Sequence, residues 1–206
     1  MSDLPHGFVY LSHACPTIVQ DIKYATDDNF TGAIVQGYEA PVAILTKEAA
    51  EVLNGIQQEL GTKDLNLLIW DAYRPTQAVD YFLSWEKVPD NQSIKAKYYP
   101  DYKKAELFKI GFIALGHSSH SRGSTVDLTI VDKNTNKALD MGTDFDFFGK
   151  KSYTLSIEIP KQARQNRIFL KNIMEKYGFK GISQEWWHYT LKTEPFPDKY
   201  FNFTVK

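Results

Sequence analysis

The sequence predicts an α+β fold: a central, mainly antiparallel sheet flanked by helices. Three observations carry that prediction. Helical and strand-like segments are interspersed along 206 residues, an ordinary length for one domain. Segments 125–131 and 186–192 alternate apolar and polar side chains, as antiparallel strands with one buried face do. Segments 46–60 and 160–177 instead repeat apolar residues at helical spacing. No internal repeat, low-complexity tract or Gly/Ser/Pro-rich linker interrupts the chain, so residues 1–206 are expected to form a single compact domain.

In segment 46–60, Ala49, Leu53, Ile56 and Leu60 share one helical face, with Thr46 as the expected N-cap and Gly61 as the expected stop. Segment 65–70 is a short, nearly continuous apolar run, the length of a buried strand rather than a helix. It leads into Asp71-Ala72-Tyr73-Arg74-Pro75, where the proline biases Arg74 towards extended backbone. Segment 76–87 reads as a helix that stops before Pro89. Along 125–131, Val126, Leu128 and Ile130 share one face and Asp127 and Thr129 the other, a half-buried strand that residues 132–136 turn around. Pro160, suited to the first helical position, opens a helix striped by Leu170, Ile173, Met174 and Tyr177 and closed by Gly178. In 186–192, Trp187, Tyr189 and Leu191 oppose His188 and Thr190.

Composition removes several function classes. Twenty-four Lys and Arg against 25 Asp and Glu leave no basic excess for nucleic acid or anionic membranes. The lysines of 95–109, interleaved with Tyr98, Tyr99 and Tyr102, are therefore expected to be a solvated face. No run of 18 apolar residues is present, so no transmembrane helix is expected. Segment 1–7 lacks the basic and apolar regions of a signal peptide, so a cytoplasmic protein is expected, or a periplasmic one if a leader has been removed. One cysteine, Cys15, excludes an intramolecular disulfide and a cysteine-based zinc cluster; it is expected to be buried and inert. Ser118 to Ser121 lie in no Gly-x-Ser-x-Gly elbow, which leaves a serine nucleophile unsupported.

Two of five histidines keep unusual company. His120 lies in a polar, glycine-punctuated loop that runs directly into the strand carrying Asp127. His188 follows Glu185-Trp186-Trp187 at the start of the other alternating strand. If those strands are neighbours, Asp127 and His188 project on one side of the sheet, and His120 arrives from the loop. Two imidazoles and a carboxylate that leave a fourth position open are what catalytic zinc requires. Each residue alone also has a structural reading: a hydrogen-bonded strand histidine, a turn-capping aspartate, a surface glutamate. The combination points to a metal site, and spacing carries the argument no further.

The block from Ser118 to Thr129, Ser-Ser-His-Ser-Arg-Gly-Ser-Thr-Val-Asp-Leu-Thr, resembles the metal-binding signature of zinc D-alanyl-D-alanine dipeptidases of the VanX type, and so does Glu185-Trp186-Trp187-His188. The same family is resembled by Lys23-Tyr24-Ala25-Thr26, Asn29-Phe30-Thr31-Gly32, Trp70-Asp71-Ala72-Tyr73-Arg74-Pro75, Met141-Gly142-Thr143, Phe145-Asp146 and the aromatic C-terminal tail, so the likeness spans nearly the whole chain. It implies a compact α+β domain related to VanY-type carboxypeptidases and Hedgehog signalling domains, with one Zn2+ per chain. It implies His120, Asp127 and His188 as zinc ligands and Glu185 as the catalytic carboxylate. Arg74 is then the group that stabilises the oxyanion, and Asp146, Tyr24 and Ser118 line the dipeptide site. The implied reaction is hydrolysis of D-alanyl-D-alanine to two D-alanines, serving cell-wall precursor removal in glycopeptide resistance or D-alanine recycling.

Elementary chemistry suits these assignments. Zinc at an open site acidifies water and polarises a carbonyl. Glu185, three residues before His188, is tethered near the metal and free to move a proton. Arg74 offers planar, permanently charged donors, although a salt bridge to Asp71 is its structural alternative. Two other readings remain at this stage: a D,D-carboxypeptidase acting on longer precursors, and a zinc-stabilised binding module. Glu185 and Arg74 argue against the module, which needs neither. Asp146 argues for the free dipeptide, whose ammonium needs a carboxylate partner.

Overall fold

Among the described residues, five strands make the central sheet, in the order β2 (Val19–Gln20), β4 (Leu65–Asp71), β5 (Thr125–Asp132), β7 (His188–Leu191) and β6 (Phe179–Gly181). The pairing of β2 with β4 is parallel; the β4–β5, β5–β7 and β7–β6 pairings are antiparallel, as expected. A second, two-stranded sheet pairs β1 (Phe8–Tyr10) with β3 (Ile44–Thr46). The structure is a computed structural model describing residues 4–206, so the first three residues of the segment read above for a leader lie outside it.

The helices are α1 (Leu11–Ala14), α2 (Lys47–Gly61), α3 (Thr76–Glu86), α4 (Gln92–Tyr98), α5 (Lys104–Ile110) and α6 (Lys161–Lys176). Thr46 caps α2, its side chain accepting from the Ala49 N–H at 3.4 Å. Gly61 is not the stop but the last helical residue; the left-handed turn falls later, on Asp64 at φ 54°. Pro160 likewise stands one place earlier than expected, as the N-cap of α6 with ψ 149°, because its backbone is still extended. Gly178, at φ 93°, does close that helix. Among the described residues no helix is long and apolar enough to cross a membrane.

Two expectations fail for reasons of packing, and a third holds only in part. Strand β5 is buried on both faces, not one: Thr129, on the face expected to meet solvent, is fully buried and shares a cavity wall with Leu139, Met141, Phe145 and Trp186. Trp186 and Trp187 precede β7 rather than belong to it, because a turn closed by the His188 N–H on the Glu185 carbonyl (3.3 Å) delays the strand. The lysine–tyrosine stretch is two helices on which Lys97, Lys103 and Lys109 are exposed as expected, but the pair also has a buried side. Tyr98 and Tyr99 join the core, and Lys104 lays its amine on the Trp85 and Val88 carbonyls at 3.0 and 2.7 Å. Cys15 is buried as expected.

Candidate active site

Sheet register assembles the centre of the site. Asp127 on β5 stands directly opposite His188 on β7 and, across a register irregularity, opposite Asp71 on β4. Directly opposed residues on neighbouring strands hold their side chains within contact distance. Segments remote in sequence therefore deliver a carboxylate, an imidazole and a second carboxylate to one row.

His120 reaches that row from the single 3₁₀ turn Ser119–Arg122. Ser118 caps the turn, its hydroxyl accepting the His120 N–H at 3.3 Å. Gly123 ends it at φ 85°, where a Cβ would collide with the ring of Phe8. The His120 ring is oriented from behind: Nδ1–H donates to the Ala72 carbonyl at 2.8 Å, which leaves the Nε2 lone pair facing the row.

Three ligand atoms then converge. His120 Nε2 lies 3.2 Å from His188 Nδ1 and 3.3 Å from Asp127 Oδ2, and His188 Nδ1 lies 3.1 Å from Asp127 Oδ1. Nitrogen and oxygen ligands ~2.0–2.1 Å from a tetrahedral zinc stand roughly 3.3–3.4 Å apart, so the donor set fits that ion with little adjustment. Burial pushes the His188 imidazole below its ordinary pKa, against the pull of Asp127, which favours the neutral, ligating ring. Burial works the other way on Asp127, yet His120 and His188 together hold its carboxyl well below the usual range.

The remaining residues surround this centre. Glu185 is buried with Oε2 3.7 Å from His188 Nδ1, and burial, reinforced by the charges of Asp127 and Asp146, pushes its carboxyl well above the ordinary range. Arg74 lies over the rings of Tyr24 and Phe82 at 5.0 and 5.4 Å. Its Nε and Nη2 donate to Asp71 Oδ2 at 2.9 and 2.8 Å, and Nη2 stands 3.5 Å from Asp127 Oδ2. The salt bridge to Asp71 is thus real, and it aims the guanidinium at the site rather than away from it. Asp146 adopts a left-handed backbone, φ 58°, and accepts from the Tyr24 hydroxyl at 2.7 Å. Burial and then the charge of Asp127 push its carboxyl well above its usual value.

All eight residues singled out in the sequence (Tyr24, Arg74, Ser118, His120, Asp127, Asp146, Glu185 and His188) line one cavity of about 240 Å³. That is smaller than the ~300–1,000 Å³ of most ligand pockets, which suits a small substrate. A larger cavity of about 820 Å³ lies beside Trp70, Met141 and Trp186 and includes none of the three ligand-type side chains. Phe30, Phe82, Phe112, Phe148 and Ile182 complete the walls of the small cavity. Sequence reasoning missed them, because an aromatic wall and an aromatic core have the same composition. Asp71 was read only as a salt-bridge partner; it also accepts from the Tyr38 hydroxyl at 2.6 Å and stands 3.4 Å from His120 Nδ1.

An α+β fold with two histidines, an aspartate and a neighbouring glutamate converging in one small cavity is that of a metallopeptidase. Residues 5–206 match the Peptidase_M15 family, described as D-ala-D-ala dipeptidase, and the chain belongs to that family. A D-alanyl-D-alanine dipeptidase of Enterococcus faecalis is 45% identical over 202 residues, 98% of this chain and 100% of that protein. One of Enterococcus faecium is 42% identical over 200 residues, 97% of this chain and 98% of that protein. Among solved structures, the D,D-pentapeptidase VanY of a VanB-type vancomycin resistance cassette, in complex with Zn(II), aligns with a TM-score of 0.44 at 15% identity, covering 85% of this chain and 86% of that one.

Proposed function

We propose that residues 1–206 act as one zinc-dependent dipeptidase domain that hydrolyses free D-alanyl-D-alanine to two molecules of D-alanine. The observation that carries this reading is the convergence of His120 Nε2, His188 Nδ1 and an Asp127 oxygen at 3.1–3.3 Å inside the small cavity that Glu185, Arg74 and Asp146 also line. His120, Asp127 and His188 would hold one Zn2+ per chain. When bound, that ion supplies Lewis-acid polarisation of the scissile carbonyl and makes water at the site a better nucleophile.

The chain's own residues do the rest. Glu185 takes a proton from the attacking water and returns it to the leaving amine, a role its buried place 3.7 Å from His188 Nδ1 suits. Arg74, braced by Asp71, donates to the oxyanion as the carbonyl becomes tetrahedral. Asp146, oriented by the Tyr24 hydroxyl, pairs with the substrate's ammonium, the cation that a carboxylate in so buried a place calls for. Ser118 holds the His120 turn at the cavity wall. The reaction would remove a cell-wall precursor, as glycopeptide resistance requires, or recover D-alanine.

Chelation should abolish hydrolysis of D-alanyl-D-alanine, and added zinc should restore it at one ion per chain. Full activity in rigorously metal-free protein contradicts the proposal.

A further inference from the structure

Arg167, in the middle of α6, is fully buried, yet among the described residues none of its hydrogen-bond partners is a carboxylate. Its Nε donates to the Met141 carbonyl at 2.6 Å, and its Nη1 donates to the carbonyls of Lys151 and Tyr153 at 2.7 and 2.8 Å. Its Nη2 donates to the Thr143 hydroxyl at 3.2 Å. Burial pulls its pKa down to about 10, so the group remains cationic at neutral pH. The charge of Asp140 offsets that burial only in part and no carboxylate bonds the fork, so the buried cation is costly, and an apolar side chain would fill the space at less cost. The charge therefore has to be explained by what the guanidinium holds.

Its bonds lead to both sides of Glu185. Lys151 and Tyr153, which it binds, flank Ser152. The Ser152 hydroxyl donates to the Gln184 carbonyl at 2.8 Å, and the Ser152 carbonyl accepts the Trp186 N–H at 3.2 Å. Each chain neighbour of Glu185 is thus tied to Ser152, and each neighbour of Ser152 to Arg167. Thr143 closes the circuit, since its hydroxyl also accepts from the Trp186 indole at 2.9 Å, while the guanidinium lies 5.4 Å from that ring.

The same fork anchors Met141 and Thr143, a few residues before Asp146. A non-glycine residue at φ 58° persists only where its surroundings impose it. Phe145, stacked on Trp70 at 5.0 Å, and the Tyr24 hydroxyl, bonded to Asp146 at 2.7 Å, restrain the same loop from the other side. By contrast, His120, Asp127 and His188 are carried by β5, β7 and the 119–122 turn, none of which Arg167 bonds.

We propose that Arg167 is a positioning residue that sets where Glu185 and Asp146 stand relative to the metal ligands without touching the substrate. This rests on the reading of Glu185 as the proton carrier and Asp146 as the ammonium partner. The test compares wild type with Arg167→Met, Arg167→Lys and Thr143→Val, all zinc-loaded. It measures zinc content, kcat, KM and amide hydrogen exchange. The expected result is wild-type zinc content with kcat lowered ~10- to 100-fold in Arg167→Met, the scale on which small misplacements of reacting groups act. Arg167→Lys should recover part of that loss, because a single ammonium cannot span the fork. Thr143→Val, which conserves volume and keeps the proposal testable should Arg167→Met not fold, should lose several-fold. Exchange should quicken in residues 139–148 and 183–187 together, with β4 and β5 unchanged.

If the wild type is active, kcat decides: folded variants with wild-type kcat, or zinc and rate lost in parallel, overturn the proposal. If the wild type hydrolyses no D-alanyl-D-alanine, it is the functional reading that has failed, and exchange decides instead. Unchanged exchange in the two segments then overturns the positioning role, and joint quickening upholds it.

Discussion

Glu185 and His188 are three residues apart and 3.7 Å from each other, yet they should fail differently when replaced. Glu185→Gln keeps the ligand set and removes the proton carrier, so zinc should stay while kcat falls by at least ~10²-fold. His188→Ala should lose the metal itself, read by metal analysis of the purified variant. Zinc lost from Glu185→Gln and kept by His188→Ala would exchange the two roles. Arg74→Ala should lower kcat/KM by ~10²–10³-fold, the usual worth of one oxyanion donor, with only partial recovery in Arg74→Lys. A near-wild-type Arg74→Ala would reduce Arg74 to the salt bridge with Asp71. These residues were legible because a metal ligand set has a restricted alphabet, and His120, Asp127, Glu185 and His188 sit at short spacings on or beside alternating strands. Asp71 and Tyr38 were not legible as site residues. Their contribution is a hydrogen bond between positions 33 apart, for which a single sequence carries no signal.

At the scale of elements, periodicity found what was long enough to be periodic. α2 and α6, at 15 and 16 residues, show full apolar stripes, whereas β2 has two residues and β6 three, too few to display any period. Those short strands exist because neighbours complete them, β2 along β4 and β6 along β7. The 119–122 turn is the element on which the site depends most, and Gly123 is its weak point. Gly123→Ala should destabilise the fold by at least ~1 kcal/mol, because it strains the left-handed backbone and forces the Phe8 ring aside. Weaker zinc binding should accompany the lower Tm; an unchanged Tm and unchanged zinc affinity would mean that the turn relaxes freely. A second element-level joint is Asp28, which binds Lys23 and Lys97 at 2.9 and 2.6 Å and so ties the 21–35 segment to α4. Hydrogen bonds from Lys23, then Lys97, hold its carboxyl well below the usual range. A depressed carboxyl pKa stabilises the fold above the unfolded-state value and loses that contribution as pH falls through the folded one. Asp28→Asn should therefore cost a modest amount of stability at pH 7, less than ~1 kcal/mol given its exposure, and clearly less near pH 2, where part of the contribution has been lost. Equal losses at both pH values would show that the ion pairs contribute nothing.

Across the whole molecule, the cavity draws on five separate stretches of the described chain: residues 24–30, 74–82, 111–127, 146–148 and 182–188. Sequence patterning read the α+β class and the antiparallel centre of the sheet. It did not show that β5 would be covered on both faces, since that depends on where the aromatic loops fold back. The small cavity suits a dipeptide better than a long precursor, and on the proposed reading Asp146 is the residue that would feel the difference. The measurement that tests this most directly is kcat/KM for D-alanyl-D-alanine beside its N-acetyl form and an L,L-dipeptide, in one assay with matched zinc content. N-acetylation removes the ammonium and leaves Asp146 buried without its partner, a loss of several kcal/mol, so the free D,D-dipeptide should be preferred by ~10²–10³-fold or more. Asp146→Asn should shrink that preference by slowing the free dipeptide far more than the acetylated one. Comparable rates on the free and acetylated substrates would contradict the account and identify the site as that of a carboxypeptidase for longer chains.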